Sequence, residues 1–115
     1  MRKTKTTKKI AAWPSSGDVF IDMGFTSAEA EELNAKGALI RAIDDTIRLR
    51  KLTQIEAARL CETDQPTLSK VLRGRVESIT IDRLAYWLRA LGRTVEIKIR
   101  PYSATAKTGQ LLTVS

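Results

Sequence analysis

Histidine is absent from this chain of 115 residues, and cysteine occurs once. Without an imidazole there is no Ser–His or Cys–His nucleophile pair, and one thiol completes no Cys/His zinc set. Enzyme activity is therefore not expected, nor is a cofactor or a metal. A lone cysteine also makes no internal disulfide. Aromatic residues form only 5% of the chain, which leaves few of the stacking groups that hold single-stranded RNA. No apolar run approaches the roughly 20 residues of a membrane span, and no segment reads as a signal peptide. These absences lead to the expectation of a cytoplasmic protein with no membrane partner.

Charge is plentiful. Twenty Lys and Arg stand against 13 Asp and Glu, a net charge of +7, with a pI near 9.9, which favours a polyanionic partner. Its distribution is uneven: residues 1–17 hold five cations and no acid, and residues 18–45 hold seven acids against Lys36 and Arg41. Residues 46–100 turn basic again, with twelve cations against six acids. The organisation expected is a disordered basic arm at 1–17, a folded domain at 18–101 and a disordered tail at 102–115. Within that tail, LLTV at 111–114 could dock as an edge strand.

The folded part reads as mostly α. At 18–25, DVFIDMGF alternates like a strand and equally suits a helical turn, and periodicity leaves both open. Thr26 with Glu29 forms a capping box, so a helix starts at Ser27; Leu33, Ile40, Ile43 and Ile47 keep one face to Arg48, and Gly37 could divide it. Thr53 with Glu56 forms a second capping box. Asp64 caps a further helix with Pro66 in its first turn, where the missing N–H has no helical partner, and Gly74 ends it. Thr80 caps the next; Ile81, Leu84, Leu88 and Leu91 share its apolar face, and Gly92 stops it. In TVEIKIR, residues 94–100, Val95, Ile97 and Ile99 alternate against Glu96, Lys98 and Arg100, as in a half-buried strand. A lone strand satisfies neither its backbone nor its apolar face, so it must pair with 18–25 or with its mate in a homodimer.

Two short capped helices at 54–61 and 65–73, joined at Glu62 and Thr63, form a helix-turn-helix. In that motif the second helix enters the major groove N-terminus first, while the start of the preceding helix meets phosphate. Gln suits bidentate contact with adenine, Thr offers a methyl or a hydroxyl, and Lys reaches guanine. Gln65, Thr67, Ser69 and Lys70 are thus the candidate base readers. The candidate phosphate contacts are Thr53 and Gln54 with Arg50, Lys51, Arg73 and Arg75. A two-fold dimer of such motifs reads a pseudo-palindromic duplex operator. Arg83, Arg89 and Arg93 read as a solvated face, Tyr86 and Trp87 as either ordinary partial burial or, in preference, a dimer surface, and Cys61 as a small buried hydrophobe.

LTQ-x-EAA (Leu52 to Ala58) followed by QPTLSKVLRG (Gln65 to Gly74) resembles the XRE/Cro-like helix-turn-helix family. More narrowly, DVFIDMGF, EAE at 29–31, ITIDRL (Ile79 to Leu84) and LGRTVEIKIRP (Leu91 to Pro101) look like the HigA-type antitoxin branch. The resemblance implies a lambda-repressor-like five-helix domain with one C-terminal strand, and an autorepressor that also neutralises a RelE-like ribonuclease toxin. Such motifs usually carry glycine where this chain has Glu62, so a residue with a side chain is expected at positive φ there. A basic toxin calls for acids and apolar anchors, which Asp18, Val19, Phe20, Asp22, Met23 and Phe25 supply. Against this, 18–25 could simply pack on the strand, leaving a stand-alone XRE-family regulator. An RNA-binding protein using its basic arm and a partner-binding bundle without nucleic acid complete the readings.

Overall fold

Threonine and aspartate set where the helices start. In the computed structural model, which describes residues 17–114, the helices are α1 (Gly17–Asp22), α2 (Ser27–Leu49), α3 (Gln54–Leu60), α4 (Gln65–Leu72) and α5 (Ile81–Ala90). Residues 1–16 of the expected basic arm at 1–17 and the Asp18 side chain lie outside the described residues. Thr26 and Thr53 accept from the backbone N–H of Glu29 and Glu56, whose carboxylates reach back to the threonine N–H groups at 2.8 Å, so both expected capping boxes are present. Asp64 caps α4 through a 2.7 Å bond from the Thr67 N–H, and Thr80 caps α5. Each satisfies a backbone donor that the first helical turn would otherwise leave unpaired.

All five helices end alike. The residue after the cap takes a left-handed conformation, and the next N–H reaches back to the helix: Phe25 to Phe20, Leu52 to Ile47, Thr63 to Ala58, Arg75 to Lys70 and Arg93 to Leu88, at 2.9 to 3.1 Å. This is the Schellman motif. Glycine fills the left-handed position at Gly24, Gly74 and Gly92, but Lys51 (φ 56°) and Glu62 (φ 60°) fill the other two.

The ambiguous 18–25 segment is therefore helical in its first part, and it offers no strand to residues 94–100. Gly37 does not divide α2; it is buried within a continuous helix of 23 residues. The long α2 packs on α5 and α4, while α3 packs on α4. Ile40, Ile43 and Ile47 meet Ala57, Ala58 and Cys61 of α3, Leu68 and Val71 of α4, and Leu84, Trp87, Leu88 and Leu91 of α5. A smaller cluster joins Phe20 and Ala30 to Met23, Phe25 and Leu33, with the two phenyl rings edge to face at 6.0 Å.

Residues 94–100 are extended, and among the described residues no strand pairs with them. Val95 packs on the core, whereas Ile97 and Ile99 are each 85% exposed. The expected strand is not formed among the described residues, since a β ladder needs a second chain segment to accept its N–H groups. No described helix is long and apolar enough to cross a membrane.

Candidate nucleic-acid interface

The candidate interface consists of α3, its turn and α4. Leu68 and Val71 point into the core and are nearly inaccessible. At 100° per residue, the opposite face of α4 then carries Pro66, Ser69, Lys70 and Arg73, flanked by Gln65 and Thr67. Pro66, Thr67, Lys70 and Arg73 are exposed, and Gln65 and Ser69 half-buried. An α-helix with its side chains is about 10–12 Å across, which fits a major groove of about 12 Å width. Pro66, which sequence reading treated only as a helix-start residue, stands at the N-terminal tip of this face.

Gln54 and Gln65, the first residues of α3 and α4, are joined. The Gln65 amide Nε2 donates to Gln54 Oε1 at 2.7 Å. One N–H of the amide is thereby committed, and its second N–H and its carbonyl remain for a ligand. The shared spacing of two capped helices made both residues visible in sequence; their bond depends on the turn between the helices. Neighbouring acids serve the caps. Hydrogen bonding at the Thr53 cap lowers the Glu56 pKa, and the bonds from Thr67 do the same for Asp64, with Lys70 assisting.

The turn holds Glu62 at positive φ and gives its side chain a partner. The Tyr86 phenol of α5 donates to the Glu62 carboxylate, which together with that negative charge raises the Tyr86 pKa. Trp87, at 2% exposure, belongs to the core and not to a surface, while Tyr86 stays partly exposed beside Glu62. Cys61 is fully buried, and burial pushes its thiol up to about 11, in keeping with an inert core residue.

Of the expected phosphate contacts, Thr53, Gln54, Lys51, Arg73 and Arg75 are exposed on the described surface. Arg50 is exposed as well, and its Nη1 donates to the Leu91 carbonyl at 2.9 Å, clamping the end of α5 to the end of α2. Arg93, read as solvated, donates to Thr46 Oγ1 at 2.8 Å beside it. Sequence reading also missed Lys36, which is 6% exposed and donates to the Val76 carbonyl at 3.2 Å while pairing with Glu32 at 3.3 Å. Glu32 one turn before Lys36 was the readable half of that arrangement.

The acidic N-terminal set divides as well. Phe20 is fully buried against Ala30, and Met23 and Phe25 are half-buried beside it, so these three hold α1 to α2. The phenyl ring of Phe20 is not an available anchor, because a helical turn rotates it inward. Val19 (39%), Ile21 (44%) and Asp22 face solvent.

Comparison with known proteins agrees with this geometry. A family model described as a helix-turn-helix domain matches residues 19–100. A solved structure named as an XRE family transcriptional regulator is 30% identical, with a TM-score of 0.66 over 75% of this chain and 97% of that one. A search of curated proteins gave no match. With the family model spanning α1 to the extended segment and the 30% identical structure matched over nearly its full length, the chain belongs to the helix-turn-helix domain family and is XRE-like within it.

Proposed function

We propose that the protein is a sequence-specific DNA-binding transcription regulator, a repressor, acting as a homodimer on a pseudo-palindromic duplex site. The observation that carries this is the Gln54–Gln65 bond at the leading edge of the helix-turn-helix. It holds the Gln65 amide so that its free N–H meets adenine N7 and its carbonyl accepts from adenine N6. Thr67, Ser69 and Lys70 read neighbouring base edges, and Pro66 offers apolar contact to a thymine methyl. Thr53, Gln54, Lys51, Arg73 and Arg75 hold phosphates and set the register. The two copies meet through residues 94–100, whose backbone and exposed isoleucines need a mate.

Selection of bound sites from random duplexes, followed by titration at several salt concentrations, tests the reading. A two-fold symmetric consensus and steeply salt-dependent affinity are expected. Equal binding to all duplexes, or preference for single-stranded RNA, refutes it.

A second reading adds a partner. With Val19, Ile21 and Asp22 exposed on α1 beside the acids of early α2, this end suits a basic protein such as a RelE-like toxin, which would make the chain an antitoxin. Co-expression with the product of the neighbouring gene tests this, using a Val19→Ser, Ile21→Ser variant that leaves Phe20 in place. Undiminished capture by the variant moves the contact elsewhere; no capture by the wild type leaves a stand-alone regulator.

A further inference from the structure

Six of the eleven exposed large apolar residues among those described lie in one stretch: Ile97, Ile99, Tyr102, Leu111, Leu112 and Val114. The tail does not trail away from the domain. The Leu111 N–H donates to Glu31 Oε1 on α2 at 2.9 Å, so the chain leaves α5, runs out and returns to the α2 surface. Between α2, the extended segment 94–100 and this returning tail lies an open space of about 1220 Å³. Its floor includes Ala38, Leu39 and Ala42, one wall is formed by Val95 and Ile99, and the other by Leu112 and Val114. The volume exceeds the roughly 300 to 1,000 Å³ of small-molecule pockets, and the adjoining wall is an unpaired strand edge. A polypeptide segment is the occupant that fills the volume and satisfies that edge.

Segment 94–100 is complementary to itself. In a two-fold antiparallel pair, an axis through Ile97 sets Ile97 opposite its own mate, Val95 opposite Ile99, and Glu96 opposite Lys98 twice. Moving the axis to Glu96 or to Lys98 sets identical charges face to face, and an axis between residues sets apolar side chains against charged ones. The register through Ile97 alone matches the faces with no like charges opposed; the one through Lys98 gains Glu96 opposite Arg100 but sets Lys98 against Lys98.

We propose that the space receives the 94–100 segment of a second copy in this register, and that residues 111–114 close over it as an outer strand. Each tail then clasps the partner's strand, and the dimer carries a four-stranded sheet with a tail at either edge. The proposal rests on the homodimer reading above and adds to it the register and the clasp. The partner's Ile99 comes to lie over Val95, extending the core across the two-fold axis, and the tails cover strand edges that would otherwise invite further pairing.

Sedimentation velocity across a dilution series of the full chain supplies the test. Leu112→Asp with Val114→Asp should raise the dimer dissociation constant about tenfold or more, and both side chains are exposed enough in one copy that folding is spared. Lys98→Glu alone, which faces the introduced carboxylate with Glu96 of the mate, should also weaken the dimer. Adding Glu96→Lys to it should restore the wild-type constant to within about threefold. A wild-type dimer that the tail substitutions leave unchanged overturns the clasp and leaves the homodimer standing. Failure of the double swap to restore overturns the register, and a monomeric wild type overturns the homodimer reading itself.

Discussion

Replacing Lys51 with glycine should stabilise this protein, and the comparison with alanine shows why. Lys51 sits at φ 56° just past the end of α2, where a Cβ crowds the following carbonyl at about 1 to 2 kcal/mol. Glycine removes that crowding but gains conformational freedom in the unfolded chain, which returns about 0.5 to 1 kcal/mol. The net for Lys51→Gly relative to Lys51→Ala is then about 0.5 to 1 kcal/mol in favour of glycine, or about 2 to 8 °C in Tm for a domain of this size. Alanine is the proper reference because it deletes the same charge and keeps the Cβ. Glu62→Gly relieves the same crowding at φ 60° but also removes the acceptor of the Tyr86 phenol, so its gain should be smaller than that of Lys51→Gly. Urea unfolding and thermal melts of the variants measure these differences. Equal stability of Lys51→Gly and Lys51→Ala would refute the argument, since backbone strain could then not be what the glycine relieves. On the proposed phosphate role of Lys51, DNA affinity should fall equally in both.

Gln65→Ala should weaken binding to the preferred site by about 1 to 3 kcal/mol and relax one position per half-site, and Gln54→Ala should be markedly non-additive with it because the two share a bond; titrations of both singles and the double against matched duplexes read the coupling. Arg50→Ala should lower stability by about 1.5 to 3 kcal/mol through loss of a charged hydrogen bond to the Leu91 carbonyl while leaving the salt dependence of DNA binding unchanged, and Arg73→Ala should do the converse, reducing the salt slope by about 1. Lys36→Met strands the buried Val76 carbonyl and should cost about 1 to 3 kcal/mol in urea unfolding. Glu56 and Asp64 have folded pKa values below their ordinary 4.5 and 3.8, so their capping contribution is complete above those values and is lost as pH falls through the lowered ones. Acid titration by circular dichroism should therefore show a shallower loss of helix below about pH 4 in Asp64→Ala than in the wild type.

The parts of the fold legible in sequence were those governed by neighbours three or four residues away. Capping boxes at Thr26 and Thr53, the Asp64 cap with Pro66, and the terminating Gly74 and Gly92 involve short-range chemistry whose partners stand in the same window. The positive φ at Glu62 was readable because the motif has a fixed turn position; the one at Lys51 was not, because a lysine at a helix end reads equally well as a charge facing the dipole. Six residues of α1 are too few for a period of 3.6 to be told from a period of 2. Gly37 weakens helix propensity by roughly 1 kcal/mol, and burial of Ile40, Ile43 and Ile47 on the same helix outweighs it.

At the interface, sequence distinguished the face of α4 from its core side but could not sort the arginines. Arg50 and Arg73 both follow a helix with a basic end, and what separates them lies some forty residues away in sequence: the α5 C-terminus presents its Leu91 carbonyl to Arg50, and nothing of that kind stands over Arg73. A helix C-terminus bears partial negative charge and unpaired carbonyls, so a guanidinium brought close to one is drawn into the fold before any phosphate arrives. Arg93 is held as well, donating to the Thr46 hydroxyl of α2. Cations fixed in this way tie the end of α5 to α2, and the Tyr86 phenol of α5 lies beside the Glu62 carboxylate of the turn. Exposed Lys51, Arg73 and Arg75 flank the face that carries Gln65, which sets positive charge beside it. Two such faces related by a two-fold axis match the symmetry of a palindromic duplex.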